Sequence, residues 1–179
     1  MLIPLRGKLL VEILENSNKT ESGLFISPKE EVPHRGFVVE LGLSYIDKKG
    51  KEYPWGISIG HIVHFKRVWD QQKVKHYILK RDQIYAIEFE NKSYAISEYI
   101  IVKREEQKSG VIFVPKHFES EVSKSTDIGE VISVGRDDRL GINVGDKIVY
   151  YKNEGLSVRI PEKEELWSLK PRAIIGKLL

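Results

Sequence analysis

Two β-forming runs, each framed by a pair of glycines at the same spacing, constrain this chain most: Gly36-Phe37-Val38-Val39-Glu40-Leu41-Gly42 and Gly129-Glu130-Val131-Ile132-Ser133-Val134-Gly135. Neither stands alone. Each is preceded by an apolar opening run, Leu5 to Leu14 and Tyr94 to Lys103. Each is followed by a glycine turn feeding a short strand, Ile59-Gly60-His61-Ile62-Val63-His64-Phe65 and Val144-Gly145-Asp146-Lys147-Ile148-Val149-Tyr150. Closing segments, Leu79 to Ile84 and Leu169 to Ile174, complete both series. Four landmarks repeated in one order, about 90 residues apart, mark a duplicated unit. The polar break Glu90-Asn91-Lys92 divides the chain into 1–90 and 91–179.

Short strands punctuated by turns, with almost no 3.6-residue periodicity, predict an all-β fold with one small antiparallel barrel per half. Only Glu162 to Leu169 suggests a helical turn. The halves differ in two places. Tyr45 to Tyr53 forms a predicted hairpin with a Lys48-Lys49-Gly50 tip, and the second half has no counterpart between Gly135 and Gly145. The polar segment before the glycine-framed strand is longer in the second half, spanning 19 positions from Gly110 to Gly129 against 13 from Gly23 to Gly36.

Those polar segments, Asn16 to Arg35 and Glu105 to Ile128, are rich in Ser, Lys, Glu and Thr and bury too little apolar area to order themselves. Within each, a Ser-Gly pair precedes three bulky apolar residues, Gly23-Leu24-Phe25-Ile26 and Gly110-Val111-Ile112-Phe113. An apolar triplet in such a loop has no obvious core to enter. The pattern points to a segment that folds onto a partner. Short buried strands are the plainer alternative, and the recurrence at equivalent positions weighs against it.

Zero cysteines exclude a disulfide framework, a thiolate metal site and a thiol nucleophile. His61 and His64 fall on opposite faces of a strand, which argues against a metal pair. His34, His76 and His117 are scattered. Asp137-Asp138 and Glu162 to Glu165 read as turn and surface carboxylates, so no catalytic residue, metal or cofactor is expected. With 29 basic and 26 acidic residues interspersed, the net charge of +3 speaks for solubility more than for a polyanion partner. A nucleic-acid-binding barrel is the alternative function. No apolar run reaches the roughly 18 residues of a membrane helix. The opening Met1-Leu2-Ile3-Pro4 leaves no room for a signal peptide, so a cytoplasmic protein is expected.

These landmarks resemble the GroES family of co-chaperonins. Pro4 to Val11 is similar to the family's opening strand, and Ser22 to Pro28 to its mobile loop with the apolar tripeptide. Gly36 to Gly42 resembles its G-x-V-x-x-V-G strand, Ile59 to Phe65 its V-G-D-x-V-x-F segment, and Arg81 to Ile87 its closing strand. The resemblance covers nearly the whole chain, once per half, as in tandem co-chaperonins of chloroplasts, although a bacterial or phage source fits better. It implies two tandem GroES-like β-barrels and a GroEL-type chaperonin partner bound through Gly23, Leu24, Phe25, Ile26, Gly110, Val111, Ile112 and Phe113. It also implies a ring of chains, or a mixed ring with a host single-domain co-chaperonin. The Tyr45 to Tyr53 hairpin aligns with the family's roof, and Trp69 with an aromatic turned to the cavity. His61 stands where the family has aspartate, which weakens a turn cap. The ATP chemistry would belong to the partner, since the chain has no G-x-x-x-x-G-K-[ST] loop. A zinc alcohol dehydrogenase fragment fails for want of Cys ligands and a G-x-G-x-x-G segment.

Overall fold

A computed structural model describes residues 3–14, 34–46, 49–66, 75–105, 126–135, 140–158 and 166–178. The chain divides into two compact units, Met1–Glu90 and Asn91–Leu179. Among the described residues there is no α-helix, and the all-β reading holds.

The first unit contains β1 (Lys8–Ile13), β2 (His34–Leu41), β3 (Tyr45–Ile46), β4 (Glu52–Tyr53), β5 (Ile62–Phe65), β6 (His76–Lys80) and β7 (Ile84–Phe89). Strands β6-β1-β2-β5-β7 lie side by side, all antiparallel. β3 and β4 pair separately as a hairpin. The second unit contains β8 (Lys92–Ala95), β9 (Ile100–Arg104), β10 (Thr126–Val134), β11 (Lys147–Tyr151), β12 (Leu156–Val158), β13 (Leu166–Leu169) and β14 (Ile174–Leu178). Its order is β12-β13-β9-β10-β11-β14. Thus β13-β9-β10-β11-β14 repeats β6-β1-β2-β5-β7 strand for strand. Neither ladder closes on itself among the described residues.

The repetition extends to irregularities. A bulge places Val39 of β2 out of register with β1, and Ile132 of β10 holds the same place against β9. A second bulge falls at Tyr85 of β7 and at Ile175 of β14. An extra residue bends its strand and increases its twist, so both sheets are bent at matching points. The interiors correspond too. Leu9, Val11, Val38, Ile57, Val63, Phe65 and Leu79 are buried in the first unit, and Ile100, Val102, Val131, Ile142, Ile148, Tyr150 and Leu169 in the second.

Two local expectations need correction. Tyr94 to Lys103 is not one strand: Ser97 adopts a left-handed conformation (φ 57) and the Tyr99 N–H turns back to the Ile96 carbonyl, separating β8 from β9. The helical turn over Glu162 to Leu169 does not form at 166–169, which is β13. That segment hydrogen-bonds between β9 and β12 and buries Ser168 and Leu169, so ladder pairing overrides the local charge pattern. Residues 162–165 lie outside the described set. Between β7 and β8, Glu90 and Asn91 are both left-handed (φ 49 and 60), the backbone of a two-residue turn of the I′ kind.

Candidate functional site

The described strands end at equivalent points on either side of the two segments expected to bind a partner. Strand β1 ends at Ile13, paired with Gly36 of β2, and the Leu14 N–H then donates to the Arg35 carbonyl at 3.0 Å. In the second unit Arg104 of β9 pairs with Gly129 of β10, and the Glu105 N–H donates to the Ile128 carbonyl at 3.0 Å. These are equivalent bonds, the last described before residues 15–33 and 106–125. Gly23, Leu24, Phe25, Ile26, Gly110, Val111, Ile112 and Phe113 lie in those intervals, outside the described residues. So do Trp69, His117, Asp137 and Asp138.

At the root of the first interval the structure assembles charges that the sequence pattern does not announce. The Arg35 guanidinium forks onto Glu88, with Nη2 to Oε1 at 2.7 Å and Nε to Oε2 at 2.9 Å. His64, only 1% exposed, sits with Nε2 3.5 Å from Oε2, a contact too long for a well-formed hydrogen bond. The ladder makes this cluster: Arg35 faces His64 across β2 and β5, while Glu88 lies one row away on β7. Burial pushes the Glu88 carboxyl up, but the His64 imidazole alongside, the Arg35 fork and the Arg35 charge prevail and hold it at about 2. Burial pushes the His64 imidazole down, against the pull of Glu88, so it is neutral at pH 7.

The consequence for stability has a definite sign. Below the ordinary histidine value of 6.5, unfolded chains take up a proton that folded His64 refuses. Below 4.5, unfolded chains protonate a glutamate that stays ionised in the fold until about pH 2. Both effects favour the native first unit at neutral pH and drain away in acid. The Glu88 contribution is lost between about pH 4.5 and 2. Urea unfolding of the first unit across this range is expected to show that slope, and a variant carrying Arg35→Ile, His64→Val and Glu88→Leu is expected to lose it.

The second root is built from other positions. Asp127 of β10, 4% exposed, accepts from Arg104 at the end of β9, with Nε to Oδ2 at 2.9 Å and Nη2 to Oδ1 at 3.3 Å. Lys152 Nζ lies 3.5 Å from Oδ1. Tyr150 faces Asp127 across the ladder, and burial, with this carboxylate's charge, pushes its phenol to about 12.

The histidines separate as their spacing predicts. His61 lies 4.8 Å from the Phe89 ring centroid, whereas His64 turns to Glu88 and Tyr85. The turn cap at His61 is indeed weaker: its Nδ1 accepts the Ser58 N–H at 3.3 Å, while Asp146 accepts the equivalent Asn143 N–H at 2.7 Å. No group of three or more His, Cys, Asp or Glu among the described residues could hold a metal ion. No helix there is long and apolar enough to cross a membrane.

Comparison with known proteins gives the same duplication. The chaperonin 10 Kd subunit family matches twice, over residues 1–88 and 92–178. The co-chaperonin GroES of Lawsonia intracellularis is 33% identical over 91 residues, covering 48% of this chain and 90% of the relative. That of Nitratidesulfovibrio vulgaris (strain DSM 19637 / Miyazaki F) is 34% identical over 91 residues, covering 48% and 96%. A relative of single-unit length is thus matched by half of this chain. With two family matches falling on two units of one strand order, the chain belongs to the chaperonin 10 Kd subunit family and carries two GroES-like domains in tandem.

Proposed function

We propose that this chain is a cytoplasmic co-chaperonin that caps a GroEL-type chaperonin ring and assists ATP-dependent protein folding. The double family match carries the reading. Residues 23–26 and 110–113 are its contacts with the ring, presented from equivalent hairpin ends. The ATP is bound and hydrolysed by the chaperonin.

The lid is an assembly of several chains. Support comes from the last strand of each unit: β7 is buried from Ile84 to Glu88, whereas its counterpart β14 leaves Ile175 49% and Leu178 41% exposed. An apolar strand at a sheet edge is a template for another chain, and a second copy is the occupant proposed here. Rings of three or four chains present six or eight domains, and a mixed ring with a single-domain co-chaperonin can present seven. The β3–β4 hairpin is the roof element of the first domain. The second domain carries no strand among the described residues between Gly135 and Gly145.

Native mass spectrometry with a GroEL-type ring tests the reading. A lid complex is expected with ATP and not without nucleotide, and its mass gives the number of chains. Failure to bind in ATP, together with salt-sensitive binding to an oligonucleotide, would replace the co-chaperonin with a nucleic-acid binder.

A further inference from the structure

The two charge clusters, each centred on a buried carboxylate, Glu88 or Asp127, pose a question that the fold itself does not answer. A buried ion pair is at best about neutral against well-packed apolar residues of the same volume. Each unit shows that the other's cluster is dispensable for the architecture. Where the first has Arg35 facing His64, the second has Ile128 facing Val149; where the first has Glu88 beside Ile62, the second has Leu178 beside Lys147. Conversely, where Arg104 faces Gly129, the first unit has Ile13 facing Gly36. The same fold thus accepts apolar residues at all three places of the first cluster and at the place of Arg104, while His34 stands at the place of Asp127.

What the clusters share is location. Arg35 is fixed twice, its side chain by Glu88 and its carbonyl by the Leu14 N–H. Arg104 and Asp127 directly precede Glu105 and Ile128, the two residues of the equivalent bond. A guanidinium forked onto a carboxylate is directional, whereas apolar contact tolerates rotation and slip.

We propose that Arg35–Glu88–His64 and Arg104–Asp127–Lys152 are positioning clusters that fix the direction in which residues 15–33 and 106–125 leave their domains toward the chaperonin. The inference rests on the reading of those segments as the ring-binding loops. Neither cluster contacts the ring; each acts on the last backbone bond before the loop.

The test combines two readouts on the full-length chain with a GroEL-type ring and ATP. One is affinity. The other is amide hydrogen exchange at Leu14, compared with Val11 and Val63 in the core. Arg35→Ile, His64→Val and Glu88→Leu together place the second unit's residues in the first. This variant is expected to keep core protection, to exchange the Leu14 amide about tenfold faster, and to bind about tenfold more weakly as the correctly directed fraction falls. Arg35→Lys keeps the charge and loses the fork, and is expected to show both effects to a smaller degree; should the triple variant not fold, it decides alone. Asp127→Asn is expected to do the same at the Glu105 amide. Unchanged affinity, or exchange that rises equally throughout the core, overturns the proposal and leaves clusters that only stabilise. Absence of binding by the unaltered chain removes the co-chaperonin reading and this inference with it. Binding that is lost on Phe25→Ser with Phe113→Ser, yet indifferent to the cluster variants, removes this inference alone.

Discussion

Replacing Phe25 and Phe113 together by serine is expected to abolish ATP-dependent binding to a GroEL-type ring while both domains stay folded. The size of the effect follows from how little one loop has to spare. Burying a large apolar side chain stabilises by roughly 1.5 to 3 kcal/mol, so a docked triplet gains about 5 to 9 kcal/mol. Ordering eight loop residues at about 1 to 2 kcal/mol each costs about 8 to 16 kcal/mol, which offsets nearly all of that gain or exceeds it. On the proposed function a single loop binds weakly, and an assembly of several chains binds through avidity of about 10² to 10⁴. Removing one phenyl ring weakens each contact about tenfold to a hundredfold, and the loss recurs at every loop of a lid. Titration calorimetry in ATP is expected to detect no heat for the double variant and weakened binding for either single one. Binding that survives in the double variant would mean that other residues hold the ring.

Gly42→Ala and Gly135→Ala are expected to be the most damaging small substitutions in the described framework. These are the second glycines of the two framed strands, and they are needed for close approach. A Cβ on Gly42 would enter the Leu5 carbonyl and stand 2.7 Å from the Pro4 oxygen. On Gly135 it would enter the Ser97 carbonyl and stand 2.9 Å from the Tyr99 oxygen. The obstacles are backbone atoms, which cannot rotate away as a side chain can. Overpacking of this kind costs about 3 kcal/mol at the upper end of its usual range. In a domain of this size that lowers Tm by roughly 10 °C or more. Gly60 and Gly145 provide the contrast. They have open space around them but φ of 88° and 92°, so alanine there costs only on the order of 1 to 2 kcal/mol in left-handed strain. A thermal scan that ranks Gly60→Ala below Gly42→Ala would contradict this order.

The framework was legible because glycine marks backbone demands directly. Gly36 and Gly129 stand where strands touch, Gly42 and Gly135 where a strand end meets the segment leading into the opening strand, and Gly60 and Gly145 where the chain turns left-handed. Their spacing carries the repeat even where the apolar residues between them differ. The duplication follows from that spacing, and the family matches fall once on each copy. Boundaries were harder to read. The break at Ser97 is made by one left-handed serine, a residue with no special helix- or strand-breaking signal. Strand β13 is set by its partners β9 and β12, which no local window contains. The charge clusters were least visible. Arg35 and Glu88 are 53 positions apart, and nothing about a lone arginine or glutamate says that it will be buried. Only the register of β2, β5 and β7 brings them together. His64 was readable as lying on the face opposite His61, but its burial depends on the same register.

The placement of those acids has a bearing on how the two halves can evolve. A gene with two similar halves invites unequal crossover between them. Exchange of β2 for β10, residue for residue, would leave Glu88 without Arg35, because Ile128 would stand there, and Asp127 without Arg104, because Ile13 would stand there. Stranding one member of a buried ionic pair costs about 3 to 5 kcal/mol, and such a hybrid strands two. Strands β2 and β10 are therefore poor substitutes for each other, and a sequence homogenised at this strand alone is expected to be destabilised.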